Sequence, residues 1–283
     1  MKVAFKTLGC KLNYSETSSI SREFIKKGFQ KVSFNESSDI YIINTCSVTQ
    51  NADKEFKYLV NKVKKKNPKS SVVAIGCYAQ LKPKKISQIS GVDLVVGADK
   101  KFDVLNYINL NNKENNNVHS CEINSVDFFK NSFSMGERTR SFLKVQDGCD
   151  YKCTYCTIPL ARGKSRSGQI LKLVENAKYL VSNGIKEIVL TGVNIGDFGI
   201  FDVNSGVKES NFLELIKHFN KIRNLPRLRI SSIEPNLLSN EIIDFVHSSK
   251  KFVNHFHIPL QSGSDKILKL MKRRYLTNLY KSR

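Results

Sequence analysis

Two hydrophobic periodicities take turns along the chain. Residues 2–8 read as a short strand, broken by Gly9-Cys10; residues 15–27 then space their apolar positions as a helix does, and Gly28 closes it. Residues 39–43 and 72–75 are continuous apolar runs, the pattern of strands buried on both faces. Between them a helical stretch over 51–66 stops before Asn67-Pro68. A further strand over 94–97 and a helix over 102–108 complete the series. Strand and helix in alternation predict an open parallel sheet with helices on its faces.

The pattern lapses over 109–117, where the sequence turns amide-rich and aperiodic, as linkers do. It resumes with a strand at 141–145, a helix at 170–183 and a strand at 187–190. Helix 212–222, strand 227–231, helix 240–247, strand 253–258 and a helix from Asp265 follow. Repeated βα units of this kind predict a partial (β/α) barrel with its site at the strands' carboxyl ends. The fold class is therefore α/β: an N-terminal parallel-sheet domain over 1–115, a linker over 116–137, and a barrel domain over 138–283 that is incomplete at its C-terminus.

Composition narrows the function. No apolar run is long enough to span a bilayer, and residues 1–6 enter a strand pattern without a signal-peptide core, so the expected location is the cytoplasm and no membrane partner is expected. In that reducing compartment the seven cysteines are not a disulfide framework, and clustered ones indicate metal or redox chemistry. A formal charge of +21 favours a polyanionic partner, nucleic acid before membrane, although any single lysine run is also what a solvated face looks like.

The cysteines carry the chemistry. Cys149, Cys153 and Cys156 place three thiols within eight residues, followed by Thr157-Ile158-Pro159. Structural zinc takes four closed ligands, usually from paired knuckles or with histidines, and no second knuckle follows Cys156. A four-iron cluster held by three thiolates keeps one iron open. An open iron can chelate the amine and carboxylate of S-adenosylmethionine, and an electron from the cluster can then split the sulfonium bond. Tyr155 is placed to contact the adenine or to pack against the barrel; Gly192 and Gly196, flanking Asn194, allow close backbone approach to a ligand or simply turn the chain. Glu234 and Gln261 are polar groups at strand ends, suited to bonds with a ribose or an amino-acid moiety, or to satisfying local backbone donors.

A second set is spread through the first domain. Cys10, Cys46 and Cys77 each fall just past the carboxyl end of a predicted parallel strand, the edge at which open α/β sheets bind ligands. Each alone would read as a small buried hydrophobe. Together they read as a second three-thiolate cluster site. Cys121 has no cysteine neighbour at ligand spacing and is the bystander.

These residues, with the segment TGVNIGDFG from Thr191 and HIPLQSGSDKIL from His257, resemble the radical S-adenosylmethionine methylthiotransferases over the whole chain. Thr7-Leu8-Gly9-Cys10-Lys11-Leu12-Asn13 with Glu16-Thr17 is most similar to the branch acting on N6-threonylcarbamoyladenosine at position 37 of tRNA. The isopentenyladenosine branch carries tyrosine and glutamine where this chain has Leu8 and Lys11. The resemblance implies two 4Fe-4S clusters and S-adenosylmethionine as cofactors. The set Cys149, Cys153, Cys156 would serve radical formation and hydrogen abstraction from C2 of the adenine, and the set Cys10, Cys46, Cys77 the delivery of methylated sulfur. It also implies the tRNA anticodon loop as partner and an electron donor such as a flavodoxin or ferredoxin. Another branch of the family, acting on isopentenyladenosine or a ribosomal protein, or a non-catalytic RNA-binding remnant, are the alternatives. In that family further barrel strands and a small β-rich RNA-binding domain follow, whereas this sequence stops at Arg283, so a truncated or split product is expected.

Overall fold

The structure, a computed structural model, describes residues 1–46, 50–108, 117–136 and 139–283. It divides into two compact units, Met1–Val126 with Leu160–Arg162, and Asp127–Pro159 with Gly163–Arg283. No helix among the described residues is long and apolar enough to cross a membrane.

In the first unit the elements run β1 (Lys2–Thr7), α1 (Lys11–Lys26), β2 (Gln30–Val32), β3 (Ile40–Thr45), α2 (Gln50–Lys66), β4 (Ser71–Gly76), α3 (Cys77–Leu81), α4 (Pro83–Ser87), β5 (Leu94–Val96) and β6 (Asn117–His119). The strands form one six-stranded sheet in the order β2-β1-β3-β4-β5-β6, with every pairing parallel. The apolar runs are continuous because both faces are covered. Ile40 and Ile42 pack on one side with Ile20 and Phe24 of α1; Tyr41 and Ile43 pack on the other with Phe56, Val60 and Val63 of α2. Residue for residue along β3, the pleat sends alternate side chains into two separate cores.

Two expectations change here. Helix α1 starts at Lys11, four residues before the apolar spacing indicated, because Cys10 in extended backbone takes the N-cap position. The segment 116–137 is more than a linker: residues 117–119 add β6 to the sheet, Phe133 forms a β-bridge with Leu143, and the units divide between Val126 and Asp127. The amide-rich run 109–116 lies outside the described residues.

The second unit continues with β7 (Ser141–Lys144), β8 (Gln146–Asp147), α5 (Ile158–Arg162, whose last three residues group with the first unit), β9 (Arg166–Ser167), α6 (Ile170–Ser182), β10 (Ile188–Thr191), α7 (Phe212–Asn220), β11 (Leu228–Ile230), α8 (Asn240–Ser248), α9 (Asp265–Leu270) and α10 (Thr277–Ser282). Strands β7, β10 and β11 form a parallel sheet with β10 in the centre, and β8 pairs antiparallel with β9. Leu173, Ala177 and Leu180 of α6 and Leu215, Ile216 and Phe219 of α7 seal the core over Ile188 and Leu190. The strand expected at 253–258 is reduced to two parallel bridges, Leu228 with Phe252 and Ser232 with His257. Its neighbourhood offers few ladder partners: Val253 and Ile233 make single bonds, to Leu228 and His257 carbonyls, before Pro259 ends the run.

Candidate functional site

In the first unit the strand order reverses between β1 and β3, and such a switch point leaves a crevice at the strands' carboxyl ends. Cys10 follows β1, Cys46 follows β3 and Cys77 follows β4, three adjacent strands spaced about 4.8 Å apart. Topology thus brings the three residues to one edge. Gly9 packs directly against Cys46: its φ is +106°, and an added Cβ would stand 2.8 Å from both Cβ and Sγ of Cys46. Gly76 is equally constrained: φ is +97°, and a Cβ would meet Asn44 Oδ1 at 2.2 Å. Only glycine fits either turn.

Two buried asparagines brace these loops. Asn13 Nδ2 donates to the carbonyls of Leu8 and Thr45, each at 3.1 Å, which ties the loop after β1 to the end of β3. Asn44 Nδ2 donates to Asn13 O at 3.0 Å and Thr17 Oγ1 at 2.9 Å, and Thr45 Oγ1 bonds Ile75 O at 2.6 Å while accepting the Ala79 N–H at 3.1 Å. Cys10 stands at the N-cap of the 16-residue α1. Cys77 is buried; burial pushes its thiol up, Lys101 opposes this in part, and the charge of Cys10 adds to the rise.

In the second unit Cys149, Cys153 and Cys156 lie on the loop that leaves β8. Burial pushes the Cys149 thiol up to about 12, and the charges of Cys156 and Cys153 contribute. Burial raises Cys156 as well. A metal would bind such thiols as thiolates, with their protons released to solvent. Among the described residues no group of three His, Cys, Asp or Glu side chains is arranged around a single metal-ion position. The donor set in each unit is three cysteines, which fits a cluster taking one thiolate per iron.

The loop is positioned by a residue that the sequence pattern did not expose. Gln146, fully buried in β8, donates through Nε2 to Gly148 O at 2.8 Å, Ser165 Oγ at 3.0 Å and Asp147 O at 3.1 Å. Its Oε1 accepts the backbone N–H groups of Val193 and Asn194 at 3.0 and 2.9 Å. A Cβ on Gly192 would come within 2.8 Å of that oxygen, and one on Gly196 within 2.5 Å of Leu237 Cβ, so both glycines make room for neighbouring side chains.

Asn194 carries the clearest sign of a missing ligand. Its side chain is buried, and neither Oδ1 nor Nδ2 has a hydrogen-bond partner. Such an amide costs free energy unless something completes it. Glu234 is ion-paired with Arg273, and burial holds its carboxyl above the ordinary range despite that cation. Arg273 also reaches Cys153 Sγ at 3.2 Å and the Tyr155 hydroxyl at 3.3 Å. Tyr155 is half exposed, with burial pushing its hydroxyl up. Gln261 is exposed, in left-handed backbone at φ +63°. Of the residues expected around a ligand, then, Tyr155 and Glu234 meet through Arg273 at the cysteine loop, Asn194 and Gly192 meet through Gln146, and Gln261 has no side-chain bond to either group among the described residues.

Comparison with known proteins bears on both units. Residues 2–97 match the Uncharacterized protein family UPF0004, and residues 143–281 match the Radical SAM superfamily. The chain is 39% identical over 285 residues to the Threonylcarbamoyladenosine tRNA methylthiotransferase MtaB of Bacillus subtilis (strain 168), covering 99% of this chain and 62% of that protein. It is 39% identical over 287 residues to the protein of the same name from Aquifex aeolicus (strain VF5), covering 99% of this chain and 68% of that one. A solved structure of the radical S-adenosylmethionine methyltransferase TsrM from Kitasatospora setae superposes with a TM-score of 0.67 at 11% identity, covering 99% of this chain and 64% of that one, a likeness of fold alone.

Proposed function

The chain belongs to the radical S-adenosylmethionine methylthiotransferase family, and from that premise we propose that it adds a methylthio group to C2 of N6-threonylcarbamoyladenosine at position 37 of tRNA. The substrate branch draws its support from the two relatives of that type at 39% identity and from Leu8 and Lys11 beside Cys10.

The observation that carries the proposal is the placement of two separate three-cysteine sets, Cys10, Cys46 and Cys77 past the carboxyl ends of the adjacent parallel strands β1, β3 and β4 of the first unit, and Cys149, Cys153 and Cys156 on the single loop after β8 of the second. Cys149, Cys153 and Cys156 would hold one 4Fe-4S cluster, and Cys10, Cys46 and Cys77 a second. When bound, the clusters and S-adenosylmethionine supply a carbon-centred radical and an activated, methylated sulfur. The remaining work falls to this chain's own side chains. Asn194 offers a buried acceptor and a buried donor to the adenosyl ligand, and Gln146 fixes the backbone on which that amide sits. Gly9 and Gly76 let the three strand-end loops close together, and Asn13 and Asn44 hold them there. The net charge of +21 suits a polyanionic tRNA, whose unstacked anticodon-loop bases are accessible to a protein. A flavodoxin or ferredoxin would supply electrons, and the cytoplasm would provide both partners.

The test is anaerobic reconstitution with iron and sulfide, followed by incubation with S-adenosylmethionine, a reductant and tRNA bearing N6-threonylcarbamoyladenosine. Mass spectrometry of the nucleosides should then reveal the 2-methylthio product, and Cys149→Ala should abolish it. A native chain that retains no iron and sulfide overturns the proposal. A product formed on isopentenyladenosine alone reassigns the branch.

A further inference from the structure

The geometry points to Arg273 as a positioning residue that sets the charge at the Cys149–Cys156 loop and thereby the reducibility of what that loop holds. The inference rests on the reading of that loop as a cluster site. Arg273 follows α9 by three residues, after a left-handed turn at Lys272 with φ +56°. Its side chain is only 4% exposed. One terminal nitrogen donates to Cys153 Sγ at 3.2 Å and to the Tyr155 hydroxyl at 3.3 Å; the other pairs with Glu234; and the guanidinium lies 5.1 Å from the Tyr275 ring centroid.

The segment carrying Arg273 is fastened to the cysteine loop on either side of it. The Thr154 N–H donates to the Met271 carbonyl at 3.3 Å, and the Arg274 guanidinium stacks 3.9 Å over the Tyr151 ring. A planar guanidinium held this way presents its charge in a fixed direction. The thiols are consequently inequivalent: Cys153 accepts from a cation, while Cys149 accepts a backbone N–H from Tyr151 at 3.4 Å and feels the carboxylate of Asp197.

A hydrogen-bonding cation on a metal-ligating sulfur drains charge from it and favours the reduced form, because the added electron is partly compensated. Glu234 works in the opposite sense by neutralising part of that cation. Replacing Arg273 should lower the reduction potential, and replacing Glu234 should raise it.

The experiment isolates this loop in the full chain by substituting Cys10, Cys46 and Cys77 with alanine. Iron and sulfide per chain are measured first, then the midpoint potential by redox titration followed by electron paramagnetic resonance, without S-adenosylmethionine. Arg273→Gln should retain iron and titrate at a more negative potential, Arg273→Lys should fall between it and the parent, and Glu234→Gln should titrate at a more positive one. If Arg273→Gln loses its iron, the Lys and Glu234 variants decide by the same ordering. Iron-loaded variants that all titrate with the parent overturn the inference. A parent without iron overturns the cluster reading itself, and the inference with it.

Discussion

Gln146 Oε1 accepts the backbone N–H of Asn194 at 2.9 Å, joining the strand end that launches the cysteine loop to the loop that follows β10. The same fully buried amide has five partners within hydrogen-bond distance, three acceptors sharing the two protons of Nε2 and two backbone N–H groups on Oε1. Gln146→Leu preserves bulk but strands the buried N–H of Asn194 and the part-buried N–H of Val193, and removes the donor to Gly148 and Ser165. Each buried group without a partner costs roughly 1–3 kcal/mol, so a loss of ~2–4 kcal/mol is expected in a denaturant titration. Iron retained after reconstitution should fall in parallel. An unchanged midpoint would show that Val193 and Asn194 find other acceptors.

Asn194 leads to the opposite stability outcome. Because both ends of its buried amide lack a partner, Asn194→Leu removes two unsatisfied polar atoms without emptying the space. The melting temperature should hold or rise, since replacing unpaired buried polar groups by apolar ones of similar shape is neutral or stabilising. Binding of S-adenosylmethionine to the reconstituted protein, measured by equilibrium dialysis, should weaken by about tenfold or more, the loss of one good hydrogen bond in a buried site. A variant that melts earlier and binds as before would remove Asn194 from the ligand site.

Gly9 tests the first unit. In Gly9→Ala a left-handed residue gains a methyl group 2.8 Å from Cys46 Cβ and Sγ, so either the turn or the cysteine must move. Gly28→Ala is the control: its φ is +86° but nothing lies within 4 Å of the added carbon. Both bear the backbone cost of about 1 kcal/mol for a non-glycine residue at positive φ. Only Gly9→Ala should lose iron, down to roughly half of the native content if two four-iron clusters are held. Equal iron in both variants would place Cys46 outside the metal site.

Much of this arrangement could be read from sequence, for a physical reason. Strands covered on both faces need unbroken apolar runs, so Ile40 to Ile43 and Val72 to Ile75 announce themselves, and the Gly-Cys or Thr-Cys that follows marks the carboxyl edge. The strand order that puts Cys10, Cys46 and Cys77 side by side is tertiary, and no local pattern encodes it. No local pattern marks Gln146 or Arg273, because their partners lie 48 and 120 residues away. The strand expected over 253–258 fades into isolated bridges at Phe252 and His257, since Val253, Phe256 and Ile258 do not fall on one alternating face. Short β2 and β6, three residues each, fall below what periodicity detects.

The opposite ends of the second unit's strands carry a charge cluster with a defined pH signature. Glu187, one residue before β10, accepts Arg229 Nε at 2.8 Å and lies 3.5 Å from Arg227 and 3.8 Å from Arg140. Burial alone would raise its carboxyl, but the Arg229 hydrogen bond and the three cationic charges outweigh burial and hold it below the ordinary carboxylate range. A carboxyl lowered on folding stabilises the fold above its unfolded pKa of about 4.3 and loses that contribution as pH falls through the lower folded value. Arg140 and Arg227 are largely exposed, so screening limits the contribution to ~1 kcal/mol at neutral pH. In iron-free protein, Glu187→Gln should be less stable than native by that amount at pH 7, and the gap should close as the pH is taken from about 5 down below 4. Other carboxylates titrate in the same range but in both proteins, so the difference between the two denaturation curves isolates Glu187. A gap that stays constant across that range would mean the arginines stabilise position 187 through packing and not through its charge.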